Sequence, residues 1–502
     1  MQTGLTQRVQ DILNINPGKG AIEFQQQWYS WGQLRSGMAQ LETLFNQANI
    51  ETGATIAIVL RNRPAHVACL LQIFTSHRCI APINPFQSAD KVANDIEQLN
   101  PSFIIADKED WQKPELSDIV KKLGAVAISI DSELAGKERI VAKLFSENTT
   151  PTDGPYHEAL PETAILMLTS GTTGPAKRIK LSRNSFDKSV MNAIDHYTKN
   201  DDALSLKPGV SLLSGPLVHI GGLYFVFDSI ASGRSFCLLE KFNVSEWVRA
   251  VEVHRVKVAA LPPTAIRMIY DAEVEAARLT SLRCIRAGSA PLPLDLQEDF
   301  EEKYDIPILD VYGATEFSGA IAGWTLKDHQ LFSKSKRGAV GRAQPGVELR
   351  VIDPETSQTL PANSLGLLEV RSVQVGKNDW VRTTDLAELD EDGFLFIRGR
   401  ADNAIIRGGF KILPLEVEAL LLEHPAVKAA CVFGIPDHRL GAVPVAGIEL
   451  ENQQQANEEE LINYLREKTT SYKVPTKILI MDELPRTPSM KISIHELKKF
   501  FQ

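Results

Sequence analysis

Residues Ala164–Ser182 read AILMLTSGTTGPAKRIKLS. The apolar run Ala164–Leu168 has the length and composition of a buried strand. It leads directly into Thr169, Ser170, Gly171, Thr172, Thr173 and Gly174, with Lys177 just beyond. Glycines let the backbone turn tightly and bring N–H groups close to a ligand, hydroxyls add donors, and lysine adds a mobile charge. A polyphosphate asks for that chemistry. The Walker A pattern G-x-x-x-x-G-K-[ST] is not met, because Ala176 stands before the lysine and Arg178 after it. The same composition also makes an ordinary solvated turn, so the stretch alone leaves both readings open.

Upstream, apolar runs alternate with helical patterns: Thr55–Leu60, a helix near Ala65–Ser76, then Cys79–Ile83, Phe103–Ala106 and Ala125–Ile130. Strands and helices alternating at this spacing predict an α/β fold with a parallel sheet. The polar, proline-bearing segment 146–161 reads as a surface linker, and Met1–Asn14 as a capped amphipathic helix. Downstream the rhythm continues with a strand at Ser235–Leu239, a helix from Glu246, a strand at Val256–Leu261 and a helix opening at Pro262-Pro263. Beyond about residue 330 the pattern changes to β hairpins over 347–353, 366–371 and 393–399. The last hundred residues read as a separate α+β unit, with helices opening at Pro414 and, behind a capping pattern, at Asn457.

The chain has 502 residues, enough for more than one domain. Hydrophobic residues at 43% and charged residues at 23% describe an ordinary globular protein. A net charge of −9 without a basic block argues against a nucleic-acid partner. Five scattered cysteines without a C-x-x-C pair fit reduced thiols, not a disulfide framework or zinc site. No apolar run approaches the ~18 residues of a membrane span, and no signal peptide is evident. The expected location is the cytoplasm.

Four more segments complete a constellation: PLVHIGGL (216–223), YGATE (312–316), WVRTTD (380–385) followed by GRADNAIIRGGFKILPLEVE (399–418), and LPRTPSMK (484–491). In this order and spacing, from about residue 20 to 495, the chain resembles the acyl-adenylate-forming superfamily, which holds acyl-CoA synthetases, peptide-synthetase adenylation domains and luciferases. Its motifs come nearest to the acyl-CoA synthetases. The resemblance implies a large N-terminal domain, residues 1–399, with parallel α/β sheets and a β-rich part. A small mobile α+β domain, residues 400–502, would turn about a hinge near Asp402. It also implies ATP, Mg²⁺ and coenzyme A as partners of a small carboxylic acid, and a homodimer as one expected assembly.

Residue by residue, the resemblance implies that the Thr169–Lys177 loop covers the β- and γ-phosphates. Tyr312 would pack on adenine, Thr315 would bond the α-phosphate, and Glu316 would hold Mg²⁺. Asp385 and Arg400 would take the ribose. Lys491 would bridge the carboxylate and the α-phosphate, His219 would stand at the floor of the acyl pocket, and Gly222, Gly288, Ala290 and Pro291 would line it. Gly408 and Gly409 would present a pantetheine tunnel. The chain departs from the family pattern at Ala176, Arg178, Thr384, Met490 and Ile494, and Arg178 is open to use as an extra phosphate charge. Coenzyme A is the expected acceptor, with a separate acyl-carrier protein as the alternative. Non-catalytic nucleotide binding is a further reading, against which Lys177, Glu316, Asp385, Arg400 and Lys491 all stand in place.

Overall fold

The computed structural model describes residues 4–133, 139–169, 177–197, 204–317, 319–372, 377–451, 454–487 and 491–501. Its first large sheet has seven strands in the order Ile140–Leu144, Val126–Ser132, Phe103–Asp107, Thr55–Val59, Cys79–Ile83, Thr163–Thr169 and Lys177–Ser182. The five inner strands are parallel and both edges antiparallel. Thr55–Val59 and Cys79–Ile83 are buried at every position, as the unbroken apolar runs require of strands covered on both faces. The helix Pro64–Thr75, buried throughout, connects them.

A second sheet carries Val258–Leu261, Cys284–Ala287 and Ile308–Ala314 in parallel, closed by antiparallel Gly319–Gly323 and Arg342–Ala343. A four-stranded sheet sets Val210–Leu213 and Ser235–Leu238 beside the hairpin Gly20–Phe24 and Gln27–Ser30. The region after residue 340 forms an antiparallel meander of Val347–Ile352, Gly366–Ser372, Lys377–Leu389 and Leu395–Arg400. The smaller C-terminal part has its own mixed sheet and its own core, in which Ile412, Val417, Leu421, Ile448 and Leu461 meet. This is the large-plus-small α/β architecture expected from the sequence.

Two local readings need correction. The first helix, Leu5–Ile15, has Gly4 at its N-cap and no side-chain cap of its own; the Leu5 amide donates instead to Asp187 Oδ1 at 2.8 Å. The cap comes from across the chain, where local sequence cannot announce it. Arg178 does not serve as a spare phosphate charge. It sits in the edge strand Lys177–Ser182 opposite Leu168, donating to Asp95 at 2.6 Å and to the Leu166 carbonyl at 3.1 Å. Its guanidinium ties the strand to the helix Ala89–Leu99.

The segment 146–161 carries neither helix nor strand. Asn457 caps the helix Glu458–Lys468 by accepting from the Glu460 amide. No helix among the described residues is long and apolar enough to cross a membrane.

Candidate active site

The strand ends of the second sheet, the helix Ile220–Ala231 and the inner face of the small domain enclose one cleft of about 2480 Å³. His219, Gly222, Gly288, Ala290, Pro291, Tyr312, Thr315, Glu316, Asp385, Arg400, Asp402 and Lys491 all line it. Residues separated by up to 272 positions in the chain therefore face a common space. Ligands of open α/β sheets bind beyond the carboxyl ends of the strands, and YGATE sits at such an end.

At one side of the cleft, strand register brings Asp385 directly opposite Arg400. The Tyr312 hydroxyl, 73 residues away, donates to the Asp385 carboxylate. Arg400 makes a two-pronged contact with Asp402, at 2.9 and 2.7 Å. Burial, reinforced by Asp385, pushes the Tyr312 phenol far up, and burial also raises the Asp385 carboxyl despite the Tyr312 and Arg400 contacts. Glu316 adds its charge to the same field from the 3₁₀ turn Thr315–Phe317. Oxygen acceptors, a guanidinium and an aromatic ring at this spacing suit a nucleoside with adjacent hydroxyls, and Glu316 offers the hard oxygen that Mg²⁺ prefers.

At the other side, His219 forms the N-cap of Ile220–Ala231 through its backbone alone. Its Nε2 is buried and takes no hydrogen bond from a described residue. Burial, with a smaller contribution from Lys491, lowers its pKa to about 4, so the imidazole is neutral at pH 7. Lys491 comes from the small domain. The Lys491 amide donates to Thr487 Oγ1 at 3.2 Å, the Thr487 amide donates to the Lys491 carbonyl at 2.7 Å, and Arg486 bridges Ile492. The side chain is exposed to the cleft, and the protein crowded around its ammonium pushes its pKa down. Ion pairs Arg267–Glu451 and Lys428–Asp271, each 3.3 Å, link the two parts.

Some expected site residues lie elsewhere. Ser170, Gly171, Thr172, Thr173 and Gly174 fall outside the described residues, as does Met490. Thr169 ends its strand and pairs with Lys177, and Lys177 does not line the cleft. Gly408 and Gly409 form the tight turn between Ile405–Arg407 and Phe410–Ile412, with φ of +57° and +89°, outside the cleft as it stands. Ile494, where the family has a basic residue, starts a short helix and packs on a cluster containing Cys431, Phe433 and Leu497. That departure belongs to packing.

Three acids on the cleft wall escaped the sequence reading. Burial raises Asp228 to about 6, against the pull of Arg234 and Arg286. It raises Asp310 to about 7 and Glu418 to about 7, each tempered by one backbone amide, from Val311 and Val432. Asp228 and Asp310 each stand alone in an apolar run, YFVFDSIA and PILDVYG, and a lone acid in such a run is the signal that could have found them; Glu418 shares LPLEVEALL with Glu416 and carries no such signal. Away from the cleft, Glu23, Cys237 and His254 bring ligand atoms within 4.8 Å of one another. Glu23 is held down to about 2 despite burial because His254, Cys237 and Arg249 satisfy it, which accounts for the group as a paired buried carboxylate.

The sequence profile of AMP-binding enzymes matches residues 9–378, and that of the AMP-binding enzyme C-terminal domain matches residues 416–491. The 2-succinylbenzoate–CoA ligase of Bacillus subtilis is 28% identical over 98% of this chain and 97% of its own. A 4-coumarate–CoA ligase-like protein of Arabidopsis thaliana is 27% identical over 91% of this chain and 85% of its own. The structure of the Bacillus subtilis o-succinylbenzoate CoA synthetase with its acyl-adenylate intermediate superposes with a TM-score of 0.78, at 27% identity over 98% of this chain and 97% of that one. ATP-bound MatB from Rhodopseudomonas palustris superposes at 0.82 with 22% identity over 100% and 99% of the two chains, a likeness of fold.

Proposed function

The chain belongs to the AMP-binding enzyme family, and on that premise we propose that its cleft joins a free carboxylic acid to ATP and then to coenzyme A. A carboxylate is a poor electrophile, because its leaving group would be oxide or hydroxide. Attack of its oxygen on the α-phosphorus of ATP breaks the bond to the β-phosphate bridge and releases pyrophosphate. The resulting acyl adenylate has AMP as a good leaving group. The thiolate of coenzyme A then attacks the acyl carbon, the C–O bond to AMP breaks, and a thioester remains. Mg²⁺ supplies charge neutralisation on the phosphates, and Glu316 would hold it.

The observation that carries this reading is the position of Lys491 opposite His219, at the acyl end of a cleft whose other side holds Tyr312, Glu316 and Asp385. Two anions must approach in the first step, and a compact ammonium between them offsets their repulsion. The neutral His219 adds no competing charge. Asp385 and Arg400 take the ribose hydroxyls, Tyr312 flanks the base, and Thr315 bonds the α-phosphate. The loop from Thr169 to Lys177 closes on the terminal phosphates.

The domains divide at 399/400, and rotation about Asp402 replaces Lys491 by Gly408 and Gly409 for the thiol step. In this structure Arg400 is engaged by Asp402, so a rotation there also frees or re-engages a ribose contact. The five cysteines are buried and free, in keeping with a reducing cytoplasm.

Lys491→Ala separates the two half-reactions. Acyl-AMP formation is expected to fall at least about a hundredfold, while thioester formation from preformed acyl-AMP stays within a few-fold of wild type. Equal loss of both steps would remove Lys491 from its assigned role.

A further inference from the structure

The helix Ile220–Ala231 turns one face to the cleft. Gly221, Tyr224, Phe225 and Asp228 stand three, four and seven residues apart along it, and all line the cavity. The stripe begins beside His219, at the Lys491 end, and finishes at Asp228. At about 1.5 Å per residue, the helix separates the two ends by roughly 13 Å.

Near His219 the space is open, since a Cβ on Gly221 would meet nothing within 4 Å. Midway the wall is firm. The Tyr224 hydroxyl donates to the Ser189 carbonyl at 3.0 Å, and its ring lies 3.5 Å from where a Cβ on Gly319 would stand.

The far end is polar. Asp228 is partly buried, and among the described residues no group donates a hydrogen bond to its carboxylate. The guanidiniums of Arg234 and Arg286 already act on it through space, so a cationic substrate group would meet a field that is already offset. That offset holds for an anion as well as for a cation, so net charge does not choose the occupant, but in direct contact a second substrate carboxylate would set acceptor against acceptor at Asp228. A neutral hydroxyl supplies the donor that the carboxylate lacks, and a partly buried acceptor facing the pocket penalises a ligand that brings none.

Resting on the acid-activation reading above, we infer that Asp228 is the specificity residue of the acyl pocket. The acid that this enzyme activates carries a hydroxyl at the end remote from its carboxylate, on a body roughly 10 Å long, somewhat less than the pocket's reach.

Pyrophosphate release with ATP and Mg²⁺ is measured for matched pairs that differ by that hydroxyl, 4-hydroxycinnamate against cinnamate and 8-hydroxyoctanoate against octanoate, with 4-carboxycinnamate as the dianion. In the wild type, the hydroxylated member of at least one pair is expected to exceed its partner in kcat/KM by at least about tenfold, and the dianion to be the poorest. In Asp228→Ala that ratio falls towards one, whereas Asp228→Asn, which keeps an acceptor, retains part of it. The wild-type ratio needs no variant, so a misfolded substitution leaves the test intact. Equal turnover within each active pair, or preference for the dianion, overturns the assignment of Asp228 while acid activation stands. Turnover of other acids in a wider panel, with none of these, overturns it equally. Silence with every acid overturns the acid-activation reading, and this inference with it.

Discussion

Substituting Glu418 by glutamine is expected to make the small domain indifferent to a pH change that the native chain feels. Glu418 lies on the helix Pro414–Leu422, and its carboxylate accepts the Val432 amide at 2.7 Å. Burial raises its pKa from the ordinary 4.5 to about 7. The unfolded chain therefore gives up this proton first as pH rises. The carboxyl's contribution to stability is complete below 4.5, declines above it, and is lost as pH passes 7. An interval of about 2.5 pH units at about 1.36 kcal/mol per unit corresponds to roughly 3 kcal/mol. That is an upper figure, because the side chain opens towards the cleft. Glutamine keeps an oxygen for the Val432 amide and does not titrate.

Hydrogen exchange of the strand Val427–Asp437, corrected for the intrinsic pH dependence of exchange, reads the small domain directly. Between pH 5 and 8 the wild type is expected to lose protection relative to Glu418→Gln, by about 2–3 kcal/mol across the range. Parallel profiles for the two proteins, or a constant deficit in the variant, would refute the reasoning.

Gly221→Leu adds a side chain where a Cβ meets nothing within 4 Å, so the acyl pocket narrows beside His219. Acid-dependent kcat/KM is expected to fall at least about tenfold for ring-bearing acids, with ATP affinity measured by calorimetry little changed. Asp402→Pro removes the bidentate Arg400 contact and freezes φ at the proposed hinge. Adenylation is expected to persist while thioester formation drops at least about tenfold, and normal overall turnover would place the hinge elsewhere.

The parts of this fold that were legible in the sequence are those that local pattern determines. The unbroken runs Thr55–Val59 and Cys79–Ile83 read as covered strands and Pro414 as a helix start, and so they are. The hairpin Gly20–Ser30 was missed because its turn residues, Gln25 and Gln26, adopt positive φ without the Gly or Asn that usually marks such a turn. The edge strand Lys177–Ser182 was missed because its charges mask the alternation, and Arg178 finds its partner 83 residues away. In the site, motifs named Tyr312 and Asp385 separately, yet nothing local said that one would donate to the other. Asp228 carried a readable signal, an acid among aromatic and apolar neighbours, whose significance depends on which helix face meets the cleft.

The most direct test of the central claim is pyrophosphate release from ATP and Mg²⁺ across a broad panel of carboxylic acids, each with and without coenzyme A. Release that requires an acid and is sustained only when coenzyme A is present is the predicted result. A single burst indifferent to coenzyme A would contradict the thiol step and point to a carrier-protein acceptor. Bound ATP with no release for any acid would contradict acid activation itself.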